Sequence, residues 1–452
     1  MLPALSRLCS HQRNMLLILM KWVRLVIESL LSGLGNRDDI HDLQKRLLIL
    51  PTDLEKLYHH ILHRIDPVYM VEASKMFKIV REAADLELSI LDFALTDESY
   101  SKKAIKNPIN PWNKVEIESA CQKMEDRMKS RCAGLIEVSG TIFITRLHAQ
   151  ISERANMKVQ YLHRTVKDYL EKPEIYALIA SRLEKIQFDV NVVLLQSCLL
   201  QLKTVPGRLS VEKHVTGKLW GLAREAMQYS SRADLTTPSH MELVGQLGRT
   251  INAHRRSYPG HYPEKWSESF LAVAVQYNLW SYVEQQLGAQ DLLRQGVTVR
   301  TLLAYALGAR GFHNYELQKN KEMVRILLRH ATKNGTNSNV FKTSSIWQQV
   351  LQTIEEGYLE PDFFINQFEV IKIFLQYGAD PQATCNLKDG RELTAATIIR
   401  EGLVKYPHPA TTDILGLLDS QESLMKPKNS VIQRLSSWSS GKSRSGSKNA
   451  LI

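Results

Sequence analysis

The feature that most constrains this chain is an internal repeat. Glu322-Met323-Val324-Arg325-Ile326-Leu327-Leu328-Arg329-His330-Ala331 aligns without a gap on Glu369-Val370-Ile371-Lys372-Ile373-Phe374-Leu375-Gln376-Tyr377-Gly378. Both segments have apolar residues at helical spacing, which places Val324, Leu327 and Leu328 and their counterparts Ile371, Phe374 and Leu375 on a core face. A second apolar helix precedes each: Thr301 to Leu307 before the first, Ser345 to Leu351 before the second. Leu271 to Leu279 with Val283 and Leu287 fits the same plan, and a final unit runs from Leu393 to Leu418. One helix pair cannot bury its own apolar face, whereas three or more neighbours build a continuous core. Residues 261–420 are therefore expected to form a helical array.

The phrase Phe374-Leu375-Gln376-Tyr377-Gly378-Ala379-Asp380-Pro381 resembles the end of an ankyrin repeat's second helix, with Gly378 at the left-handed turn and Asp380 just beyond it. The units lie 41 to 47 residues apart, against about 33 in ankyrin repeats, and the Thr-Pro-Leu-His turn is absent. The array is thus ankyrin-like with long insertions.

The rest of the chain also reads as mainly helical, with little β content. Leu43, Leu47, Leu50, Leu54, Leu57 and Ile61 recur at helical intervals, and Pro51 sits where it can begin a helix. A helical domain is expected over 37–100, and a winged-helix-like domain over 101–200. The latter would contain an amphipathic helix from Val115 to Arg131, a strand and turn at Gly134 to Gly140, a partner strand at Ile142 to Ile144, and a further strand at Val159 to His163. Thr165 can cap a following helix through Val166, Tyr169 and Leu170. Residues 201–255 read as a helical connector with core positions and little else.

Three strings carry a resemblance to a family. Leu50-Pro51-Thr52-Asp53-Leu54-Glu55-Lys56-Leu57-Tyr58, Cys121 to Cys132, and Tyr161-Leu162-His163-Arg164-Thr165-Val166-Lys167-Asp168-Tyr169-Leu170 resemble the region that follows the nucleotide-binding core in fungal NACHT-type signalling NTPases, the NLR-like STAND proteins. The resemblance covers about residues 20–200 well and 260–420 loosely. It implies that residues 1–36 are the last helix of the NACHT module, and that His163, with Arg164, occupies the place of a winged-helix histidine that contacts bound ADP. The alternative for His163 and Arg164 is a local role where strand meets helix, and the absence of a nucleotide core in this chain favours it.

No phosphate-binding loop accompanies these strings. Gly441-Lys442-Ser443 copies only the end of one, with Ser436 in place of the first glycine and no strand ahead of it. His59 and His63 stand four apart on one helical face but lack the glutamate of a metalloprotease pair, so an ordinary helix surface is the expectation. No Gly-x-Ser-x-Gly elbow and no cysteine with a nearby base is present. Neither an enzyme, a metal nor a cofactor is expected.

The formal charge is +11, but Lys426, Lys428, Arg434, Lys442, Arg444 and Lys448 supply more than half of it after the last acid, Glu422, in a Ser-rich tail, 421–452, expected to be disordered. Weak affinity for nucleic acid or acidic membrane would reside there. Five dispersed cysteines suggest reduced, buried thiols, and no secretion signal is evident, which together indicate the cytoplasm. Met15 to Leu34 is apolar, but Lys21, Arg24 and Glu28 interrupt it, which argues against a membrane anchor.

Two functions follow as alternatives. The first is a non-catalytic regulatory and protein-interaction portion of a NACHT-type protein, whose array binds a partner protein or makes an autoinhibitory contact. The second is nucleic-acid binding through the winged helix and the basic tail. The helix from Val166 to Tyr176 alternates Lys167, Asp168, Glu171, Lys172 and Glu174, and this near neutrality favours the first.

Overall fold

The computed structural model describes residues 37–49, 54–83, 87–141, 152–205, 213–233, 238–259, 269–288, 299–307, 321–333, 345–355, 361–387 and 390–425, with a few isolated positions besides. The protein is mainly α-helical, with two small two-stranded sheets among the described residues. It divides into two compact units, Met1–Phe270 and Leu271–Ile452. Most of the N-terminal apolar segment, the partner strand expected at Ile142 to Ile144, the Gly441-Lys442-Ser443 tripeptide and the tail beyond Met425 lie outside the described residues.

The first unit begins with α1 (Ile40–Ile49) and α2 (Leu54–His63). After Asp66, whose carboxylate accepts from the Val68 amide, come α3 (Met70–Glu82) and α4 (Ile90–Ala94). Ser89 and Asp92 form a capping box at the start of α4, each side chain accepting from the other's backbone amide. Next are α5 (Ser101–Lys106) and α6 (Lys114–Arg131), the latter started by a capping box of Asn113 and Glu116. Ala133 and Gly134, both at positive φ, turn the chain out of α6 into β1 (Ile136–Thr141).

β1 pairs antiparallel with β2 (Met157–Tyr161), with Val138 opposite Val159. The far side of β2 makes a bridge to Ser89, and the Val159 amide donates to the Leu88 carbonyl. From Met70 to Tyr161 the order is helix, single bridge at Ser89, three helices, strand, strand, which is similar to the order of a winged helix. The division expected near residue 100 is therefore not a structural boundary, because α3 and α4 pack on α6 and the Leu88–Ser89 segment joins the sheet. The strand expected at Val159 to His163 starts two residues earlier, and among the described residues it is the partner of β1.

The chain continues through α7 (Arg164–Leu170) and α8 (Pro173–Ser181). Pro173 at the first helical position separates the two, so the single helix expected from Val166 to Tyr176 is divided. Then come α9 (Val190–Thr204), α10 (Lys213–Arg232) and α11 (Pro238–Ser257). These are no mere connector: α9 packs against α3, α4, α5, α10 and α11. Its polar side chains are buried with its apolar ones. Gln196 donates to the Leu95 carbonyl (2.9 Å), Ser197 to that of Asp92 (2.7 Å), and Lys203 to those of Ala104 (2.7 Å) and Asn107 (2.8 Å). The last carbonyls of a helix have no partner within it, and α9 supplies partners for the ends of both α4 and α5.

The second unit contains α12 (Phe270–Gln276, beginning at the unit boundary), α13 (Trp280–Gly288), α14 (Val299–Ala306), α15 (Lys321–Lys333), α16 (Ser345–Glu355) and α17 (Pro361–Gln376). A hairpin of β3 (Thr384–Asn386) and β4 (Glu392–Thr394) leads to α18 (Ala395–Lys405) and α19 (Thr411–Met425). Helices α13, α15, α17 and α19 pack in succession as one layer, and α14, α16 and α18 as the other. Each later pair (α14 with α15, α16 with α17, α18 with α19) closes across the layers. The two aligned segments, in α15 and α17, are thus neighbours in one layer. Gly402 permits a close approach of α18 to α16: a Cβ there would meet Ile354 Cγ2 at 2.7 Å.

Candidate functional site

Two of the three strings singled out in the sequence meet in space. Tyr58 of α2 is buried against α7, its hydroxyl 2.8 Å from Thr165 Oγ1, and its ring lies 5.7 Å from that of Tyr169. His59 Nδ1 is 3.3 Å from the Tyr169 hydroxyl, and Lys172 pairs with Glu55 at 2.6 Å. Helical periodicity puts Leu57, Tyr58 and Leu62 on the inner face of α2, and all three are buried.

His163 lies at the centre of this contact as the N-cap of α7. Its Nδ1 accepts from the Thr165 amide at 3.2 Å and sits 2.8 Å from the Thr165 hydroxyl. The cap is therefore His163 and not Thr165, whose hydroxyl bridges His163 and Tyr58. Arg164 is exposed and lies 3.8 Å from Asp168 of the next turn. His59 and His63 stack with centroids 3.9 Å apart, and His63 Nδ1 is 2.8 Å from the His59 carbonyl. No group of three metal-ligating side chains occurs among the described residues.

The contact makes a specific expectation. Removing the Tyr58 hydroxyl (Tyr58→Phe) should cost about 1 kcal/mol, the net worth of one hydrogen bond. A double-mutant cycle with Thr165→Val should return a coupling energy of that order. Additive effects in thermal or denaturant melts would show that the two hydroxyls do not interact.

The third string, Cys121 to Cys132, lies on α6 and its C-cap, the last helix before the β1–β2 pair. Cys121, Met124, Met128 and Cys132 face the core. Burial pushes the Cys121 thiol up to about 12, so it stays protonated and unreactive. Arg127 turns inward to pair with Glu72 and Asp97, and Arg131 pairs with Glu72 beneath the Tyr69 ring. Burial alone would raise the Asp97 carboxyl, but hydrogen bonds from Ser99 and Arg127 hold it below the usual range. The outward face of α6 mixes Lys123 and Lys129 with Glu116 and Asp126. The charge test for a DNA-reading helix belongs on this helix rather than on Val166 to Tyr176, and α6 too lacks a crowded cationic face.

Residues 64–211 match a family model described as a domain of unknown function (DUF7791). No curated protein and no solved structure matches the chain. The matched segment includes all of Met70 to Tyr161 and α9, which agrees with their packing as one core.

In the second unit, Val324, Leu327, Leu328, Ile371, Phe374 and Leu375 are all buried. Gly378 has φ +86° and closes α17, with the Ala379 amide donating back to the Phe374 carbonyl at 3.0 Å. Asp380 accepts from the Gln382 amide through its carboxylate (2.8 Å) and from the Trp347 indole through its carbonyl (3.0 Å). Sequence reasoning missed the β3–β4 hairpin, where Thr394 caps α18 by accepting from Thr397. It also missed how α16 covers the hairpin's edge: Gln348 and Gln352 donate to the carbonyls of Thr384 and Asn386 at 2.9 and 3.0 Å. A sheet edge so occupied is closed to strand addition.

Proposed function

We propose that this chain is a non-catalytic, regulatory and protein-binding part of a NACHT-type signalling NTPase, acting in the cytoplasm. The observation that carries the reading is the α2–α7 contact. Two of the three strings resembling that family are far apart in sequence yet pack together through Tyr58, Thr165, His163 and Tyr169. Residues matched to a family for a shared role are expected to converge in this way, and this contact ties the helical segment preceding the winged helix to the winged helix itself. The stacked helices of the second unit offer the extended surface by which repeat arrays hold partners or fold back as inhibitors. His163 spends Nδ1 on its cap, which favours its local role over contact with a diphosphate. Among the described residues no helix is long and apolar enough to cross a membrane.

The test has two arms. Purified chain should release no phosphate from MgATP or MgGTP, and a protein captured by the intact chain from extracts of its own cells should be lost when Phe374→Asp disrupts the array. Nucleotide turnover that scales with the chain and is abolished by a substitution in it would sink the proposal. So would tight duplex DNA binding at physiological salt with no captured protein, which would favour the nucleic-acid alternative.

A further inference from the structure

The first unit carries an open cleft of about 440 Å³ between α5, the segment after it, and the first half of α6. Tyr100 and Trp112 form its aromatic wall, with ring centroids 6.0 Å apart and tilted by 50°. Lys103 lies over the Tyr100 ring at 4.9 Å, and Lys123 stands on the opposite side, on α6. Neither lysine has a carboxylate partner among the described residues. The lining carboxylate, Glu116, is spent on the α6 capping box, accepting from the Asn113 amide at 2.8 Å.

The remaining polar groups are equally uncommitted. The Trp112 indole N–H and the side-chain amides of Asn107 and Asn110, all lining residues, have no partner among the described residues. The backbone around them is anchored: Asn110 and Trp112 donate their amides to the Lys203 and Thr204 carbonyls at 2.9 and 3.1 Å, and Asn107 receives Lys203. The cleft is therefore held in shape from behind by α9, while its side chains are left open. Beside it in sequence, Ile109 and Val115 are 39% and 74% exposed, an uncommon degree of exposure for aliphatic side chains in one short stretch.

We propose that this cleft binds an acidic, extended segment of a partner protein that inserts an aromatic or large aliphatic side chain. The two unpaired ammonium groups match carboxylates, and an anchor side chain would fill the space beside Tyr100 and Trp112. Each asparagine amide offers a donor and an acceptor, which matches the paired N–H and C=O of an extended peptide backbone. This inference rests on the reading of the chain as a protein-binding module and names one surface and the chemistry of what it takes.

Random peptides displayed on phage, panned against the full chain and counter-selected on the Lys103→Glu/Lys123→Glu variant, provide the test. The expected consensus is a cluster of Asp and Glu beside Trp, Phe or Leu. The selected peptide should lose about tenfold or more in affinity to the double variant, and should weaken as salt is raised. Trp112→Ala should lower the affinity comparably, and the charge-reversal variant, altered only at exposed positions, keeps the test sound if Trp112→Ala destabilises the unit. A basic or absent consensus, or an affinity unchanged in the charge-reversal variant, would overturn the inference. So would binding of a single-stranded oligonucleotide that this variant abolishes while no peptide is enriched. Capture of a protein through the array, with no peptide in the cleft, would overturn this inference alone and leave the reading of the chain as a binding module standing.

Discussion

Replacing Phe374 by Asp is expected to unfold the helical array. Phe374 is 1% exposed, and its ring stacks on Trp347 of the neighbouring layer, with centroids 5.5 Å apart and planes within 14°. Truncating a buried phenylalanine alone costs about 3–5 kcal/mol. A carboxylate in the same space must also leave water without a partner, or take up a proton to avoid doing so. Because domains are stable by only about 5–15 kcal/mol, the sum removes most or all of the margin. Leu327→Asp, on the neighbouring helix of the same layer, should behave alike, since Leu327 is fully buried too. Far-UV circular dichroism and thermal melting of the full chain would measure the loss. If either variant kept the wild-type helical signal and melting temperature, the stacked array would be wrong.

The first unit should lose stability in mild acid, through His148. This side chain is fully buried, and its Nε2 lies 3.2 Å from Thr204 Oγ1. The threonine hydroxyl donates to the Leu200 carbonyl at 2.8 Å, so it accepts from His148, and the imidazole is the Nε2–H tautomer. Its Nδ1 has no partner among the described residues. A proton placed there would be a buried charge with no acceptor among the described residues, and burial accordingly lowers the pKa from 6.5 to about 4.

The sign follows from which state takes the proton first. Above about pH 6.5 both states are neutral and the stability is complete. As the pH falls from there towards 4, the unfolded chain binds a proton that the folded chain refuses. Stability is lost across that window, by about 3 kcal/mol in all. His254, whose Nε2 lies 2.8 Å from the Leu202 carbonyl, is lowered in the same direction by burial and should add to the loss. Denaturant midpoints at about pH 7 and about pH 4.5 would measure it. His148→Gln retains an amide donor for Thr204 but cannot titrate, so its acid loss should be smaller. An equal loss in the variant would remove His148 from the account.

What was legible in the sequence was local. Spacing by three and four residues located α2, α6, α15 and α17, because burying one face of a helix leaves that period in the sequence. The glycine at 378 was readable for a similar reason, as a helix end needing a left-handed residue leaves a residue-type signal. The repeat was readable because stacked units bury the same positions over and over. The strands near 136 and 159 were found, but their pairing was not. Antiparallel partners are chosen by contacts across the fold, and residues 88 and 89 carry no pattern that would announce a bridge to 158.

The cleft and its support were decided by tertiary structure alone. Gln196, Ser197, Gln201, Lys203 and Thr204 read as the polar side of an ordinary helix, yet all five are buried. The first four are tolerated there because α4 and α5 end against them, and the carbonyls of those ends, with the Asp92 carboxylate, receive their hydrogen bonds, while the Thr204 hydroxyl donates to the Leu200 carbonyl of its own helix. Nothing in the local sequence of either partner encodes such an exchange, since each group is costly to bury until the other is present. Likewise, Tyr58 and Tyr169 are each ordinary helix residues until α2 and α7 meet. The sequence by itself determined which segments would be helical and which faces they would bury; the tertiary structure decided which polar groups those faces could hold.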